Sequence, residues 1–120
     1  MKITSFNPLI VTNNAEPTVK LFEAMGFEVR HKPSSEDFAF YRMTDASDFH
    51  VDVVQVAAKV ERDMTVIRVN VDDYDGAQKF LLDKGFTSLG QNDVFASMHA
   101  NSIMMMAPSG YLVCVFQHIK

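Results

Sequence analysis

The chain has 120 residues, 48% of them apolar and 22% charged, which suits one cored domain and leaves too little for two independent ones. Eleven Lys and Arg against fifteen Asp and Glu give a formal charge of -4, with no long basic run, which argues against a binder of phosphate backbones. One cysteine, Cys114, excludes an intrachain disulfide, and apolar runs such as Ser102 to Ala107 fall far short of a bilayer span. Without an apolar signal core near Met1, the expectation is a cytoplasmic protein with neither nucleic acid nor membrane as partner.

Phe6 to Thr12 is apolar and β-branched and reads as a strand. Asn14 is placed to cap the helix that follows, and Pro17 sits in its first turn, where a missing N–H costs nothing. Val19, Phe22 and Met25, with Leu21 beside them, form the expected apolar stripe, and Gly26 ends the helix. Extended segments follow at Phe27 to His31, Phe38 to Met43 and Phe49 to Val56, the first two joined by the turn-forming stretch Lys32 to Asp37. Ala57 to Met64 reads as a connector.

The pattern then repeats. Thr65 to Val71 reads as a strand, Asp72 or Asp73 as a cap, Ala77, Phe80 and Leu81 as a helix stripe, and Gly85 as its end. Phe86 to Leu89, Ser102 to Met106 and Tyr111 to His118 are extended, with a Pro-Ser-Gly turn over Ala107 to Gly110. Gly90 to Asn101 carries no clear pattern.

The repeat is visible residue by residue. Lys20-Leu21-Phe22 to Gly26-Phe27 lies over Lys79-Phe80-Leu81 to Gly85-Phe86 at an offset of 59, and His50 to Gln55 lies over Leu112 to Gln117 at an offset of 62. Two matches in one order imply an α+β domain over residues 1–120 made of two tandem βαβββ units, about 1–58 and 63–120.

Such a doubled unit, with Ala107-Pro108-Ser109-Gly110-Tyr111 before the last strand, resembles the vicinal oxygen chelate superfamily of glyoxalases, bleomycin-resistance proteins and extradiol dioxygenases. The resemblance implies a concave, incomplete barrel with the ligand inside, completed by homodimerisation. It also implies a four-point metal site in the metal-dependent members, one ligand from the first and one from the last strand of each unit. Counted from the matching stretches, those positions are Phe6 (or Asn7, one residue along), Asp52, Val66 and Cys114.

Apolar side chains cannot donate a lone pair, and thiolate suits an oxygen-rich site poorly. The expectation is therefore a small-molecule binder with neither metal nor cofactor, taking a partly apolar or aromatic ligand. Its candidate contacts are Phe6, Asn7, Phe40, Tyr41, Asp52, Met104, Met106, Cys114 and Phe116. Phe38, Arg42 and His99 are further candidates near that wall. The alternative is a metal-dependent lyase, isomerase or dioxygenase using Asp52 with His50, Cys114 or His118. Against both stands ordinary structure: Cys114 as a small core residue, and the two histidines as strand-end residues in water.

Overall fold

The computed structural model describes residues 2–31, 38–57, 59–91 and 100–118. In chain order the elements are β1 (Ile3–Thr12), α1 (Glu16–Ala24), β2 (Glu28–His31), β3 (Phe38–Thr44), β4 (His50–Val56), β5 (Met64–Val71), α2 (Tyr74–Asp83), β6 (Thr87–Gln91), β7 (Ala100–Met106) and β8 (Leu112–His118). Among the described residues this is an α+β fold of eight strands, paired both parallel and antiparallel, with two helices. The chain forms two compact units, one of Asn7–Thr65 and one of Met1–Phe6 with Val66–Lys120.

In the Asn7–Thr65 unit the strands lie in the line β2-β3-β4-β1, which does not close on itself. β1 and β4 run parallel, with Leu9 opposite Asp52, and β4 runs antiparallel to β3, with Asp52 opposite Arg42. Side chains alternate across a strand, so each strand divides its residues between the α1 face and the opposite face. Ala15, Met43, Val51 and Val53 are buried on the α1 face, packed by Ile10, Val19, Phe22, Phe27 and Tyr41. Phe22 and Phe27 meet edge to face at 5.4 Å. Each such aliphatic side chain removed from water contributes about 1.5–3 kcal/mol.

Two local expectations fail here. Asn14 does not cap α1: no side chain of the N-cap does so, and the Ala15 N–H instead donates to Gln55 Oε1 at 2.8 Å, from β4. The stripe is also narrower than the spacing suggests, because Leu21 and Met25 are more than half exposed and only Val19 and Phe22 pack inward. A helix of nine residues presents little more than two turns to the sheet.

In the other unit the line is β5-β8-β7-β6. β5 and β8 run parallel with Arg68 opposite Cys114, and β7 runs antiparallel to β8 with Met104 opposite Cys114. Val71, Tyr74, Ala77, Ile103, Met105, Val113 and Val115 form the core beneath α2. Asp73 caps this helix, accepting the Gly76 N–H at 3.0 Å, and any Cβ at Gly76 would collide with the Asp73 carboxylate. Gln117 Oε1 accepts the Tyr74 N–H at 2.7 Å, while its amide nitrogen donates to the Asp72 carbonyl at 2.9 Å. Gln55 and Gln117 thus do one job, each tying the first turn of a helix to the last strand of its own unit.

The hairpins before those last strands also correspond. Asp45 N–H donates to Phe49 O at 3.1 Å, and Ala107 N–H to Tyr111 O at 2.8 Å. The left-handed residue is Gly110 at φ 105° in one and Asp48 at φ 66° in the other.

Candidate functional site

Asp52 is the centre of a buried polar cluster on the face of the Asn7–Thr65 unit that α1 does not cover. β4 alternation sends Val51 and Val53 toward α1 and Asp52 away from it. The carboxylate is wholly buried, which is costly unless both oxygens find partners. Asn7 Nδ2 donates to Asp52 Oδ2 at 2.8 Å, and Arg42 Nε donates to Oδ1 at 3.3 Å. Asn7 also holds the neighbouring Pro8 carbonyl at 2.9 Å, which fixes its amide plane.

Arg42 differs from its partners in reaching solvent: its side chain is 33% exposed. The guanidinium has five N–H donors and the ion pair with Asp52 engages Nε, so its outer edge is chemically suited to an acceptor group on a ligand. Two residues further along the same face, Thr44 Oγ1 lies 3.0 Å from His50 Nδ1, and His50 Nε2 lies 3.6 Å from Asp48 Oδ1. Phe40 and Val54, both buried, give the same face an apolar side.

In the other unit the corresponding face sets one buried cation among apolar residues, with the polar Ser102 and Asn70 at the level of Phe116. Val66 and Arg68 of β5 are fully buried, and the Arg68 guanidinium stands 4.1 Å from the centroid of the Phe116 ring. Cys114 lies opposite Arg68 on one side and Met104 on the other. Met105 points into the core beneath α2, so Met104 and Met106 point the opposite way.

Of the expected contacts, Asn7, Phe40 and Asp52 share one face of their unit, and Met104, Met106, Cys114 and Phe116 share one face of theirs. Tyr41 does not belong with Phe40. It packs into the α1 core, because adjacent strand residues point to opposite faces. Phe6 is likewise the immediate neighbour of Asn7 in β1 and points to the opposite face; it is 64% exposed and lines an apolar groove beside α2. The first-strand position beside Asp52 is thus Asn7. Phe38 and His118 are strand residues whose side chains lie outside the description, and His99 lies outside the described residues. Arg68 was not anticipated, although a lone cation inside Val66-Ile67-Arg68-Val69 is a signal that a buried charge is being held.

The donor set does not suit a family-type metal. Val66 offers no lone pair, both Asp52 oxygens already accept hydrogen bonds, and among the described residues no group of three or more His, Cys, Asp or Glu stands together.

Comparison with known proteins places the fold. The chain matches no family model and no curated protein. Among solved structures it is similar to methylmalonyl-CoA epimerase from Mycobacterium tuberculosis, with a TM-score of 0.73 at 8% identity over 98% of this chain and 90% of that one. It is similar to a glyoxalase/bleomycin resistance protein/dioxygenase superfamily member from Vibrio splendidus 12B01, with a TM-score of 0.60 at 18% identity over 97% and 99% of the two chains. It also resembles the Mn(II)-bound glyoxalase from Novosphingobium aromaticivorans, with a TM-score of 0.59 at 15% identity, covering 98% of this chain and 40% of that one. The fold is that of the vicinal oxygen chelate superfamily.

Proposed function

We propose that this chain is a small-molecule binder of the glyoxalase and bleomycin-resistance type that holds a partly apolar or aromatic ligand without a metal. The observation that carries this is the state of Asp52: the one carboxylate among the four family ligand positions is buried and engaged by Asn7 and Arg42. Its role is to position Arg42. A guanidinium anchored at Nε by a fixed carboxylate loses little freedom when its other nitrogens bind a ligand's acceptor. Phe40 and Val54 provide the apolar contact beside it.

The proposal extends to one cytoplasmic domain that works as a homodimer. Among the described residues no helix is long and apolar enough to cross a membrane, and β2 and β6 each end a line of strands, edges that a second copy would cover.

A thermal-shift screen over aromatic and cationic metabolites and drugs, followed by calorimetry, tests this. At least one class is expected to stabilise the protein, with affinity about tenfold lower in Arg42→Met. Stoichiometric metal in protein purified without chelators, lost in Asp52→Ala, would overturn it in favour of a metal-dependent lyase, isomerase or dioxygenase.

A further inference from the structure

The geometry points to a second binding site, for a straight-chain alkyl carboxylate, in the groove beside α2. This groove lies within the unit of Met1–Phe6 and Val66–Lys120 and does not depend on the Asp52 proposal. It encloses about 260 Å³. An apolar cavity of roughly 150 Å³ already takes up benzene, so the space accommodates a chain of several carbons.

Its chemistry selects the ligand. The wall is built from Val69 and Val115 of the sheet and Ala77 and Leu81 of α2, with Phe80 and Tyr111 at the rim. Nothing in the four wall side chains can donate or accept a hydrogen bond, so the part of the ligand held there must be hydrocarbon. Phe80 is 47% exposed and Tyr111 is 53% exposed, an unusual state for rings bordering an apolar hollow, and one that a chain lying between them would relieve.

A cation beside the groove, next to the lining ring of Phe80, sets the head group. Lys84 follows Ala77, Phe80 and Leu81 on the helix face at steps of seven, four and three, and its ammonium stands 5.5 Å from the Phe80 ring centroid. Asp83, Lys79 and Asp75 fall on other sides of the helix by the same count, and Asp73, at the far end of the Ala77 face from Lys84, is engaged by the Gly76 N–H. A ligand with its tail against Ala77 and its head at Lys84 therefore meets a cation, which favours a carboxylate and disfavours an ammonium.

The test is an NMR titration of the full chain with octanoate, octanol and octylammonium. Octanoate is expected to shift amides of β5, α2 and β8 saturably, with affinity rising about fourfold per methylene from butanoate upward. Lys84→Gln should weaken octanoate about threefold and leave octanol unchanged. Ala77→Phe should abolish both. Should that variant fail to fold, Phe80→Ala serves in its place, with octanoate weakened about tenfold.

Three results would overturn the site. They are the absence of a saturable shift with octanoate, octylammonium binding as tightly as octanoate, and movement of the same amides with protein concentration alone, which would identify a second copy as the occupant.

Discussion

Asp52 and Cys114 stand at corresponding points on the last strands of the two units, each opposite a residue of the preceding parallel strand at the same offset as in the sequence match. Around Asp52 the neighbours are Asn7 and Arg42, and the cluster is an ion pair with an amide on its second oxygen. Around Cys114 they are Arg68, Met104 and, two residues on, Phe116, whose ring lies against the guanidinium. A backbone frame that repeats does not oblige the chemistry mounted on it to repeat. The same holds beneath the helices. Where α1 sets Phe22 against Phe27, α2 sets Leu81, and the ring of Phe86 turns to Tyr111 at 6.0 Å. A smaller side chain at that point is consistent with the groove on that side.

The sharpest way to break the comparison is to remove both side chains in turn. Asp52→Ala leaves Asn7 without its acceptor and Arg42 without its counter-charge, and should lower unfolding free energy by about 3 kcal/mol in urea titrations. Cys114→Ala, which removes one buried sulfur between Arg68 and Met104, should cost about 1 kcal/mol. Equal losses would mean that the polar cluster adds nothing to packing.

The helix starts separate the units next. Asp73→Ala should destabilise by about 1 kcal/mol, whereas Asn14→Ala should fall within about 0.5 kcal/mol of the parent, since α1 relies on Gln55. Circular-dichroism melts resolve that difference.

The hairpins give the smallest effect. Asp48→Gly relaxes a left-handed non-glycine residue and should stabilise by about 0.5 kcal/mol, while Gly110→Ala at φ 105° should do the opposite by about 1 kcal/mol. Thermal unfolding of the two variants would reveal whether backbone strain or the Asp48 contact with His50 governs that turn.

Much of this was legible in the residues. The order of elements and the Gly26 and Gly85 helix ends follow from composition and spacing, and Gln55 and Gln117 lie inside the second match. What could not be read was which way the strands face. The start of β3 is apolar on both sides, so Phe40-Tyr41 carries no alternation to show which residue points away from the helix, and in β1 the polar Asn7 is buried while the apolar Phe6 is exposed, the reverse of the usual pattern. Register is a property of pairing, and a shift of one residue exchanges the faces. The extension of β1 back to Ile3 was invisible for a similar reason, since Thr4 and Ser5 carry no apolar signal.

The grouping of Met1–Phe6 with Val66–Lys120 constrains the order of assembly. Asn7–Thr65 is an unbroken stretch, able to close on itself while the remainder is still emerging from the ribosome. Its companion needs the leading residues to wait for the stretch seventy positions later, where Lys2 O accepts the Asp72 N–H, so its loop closure is the longer search and the natural slow step.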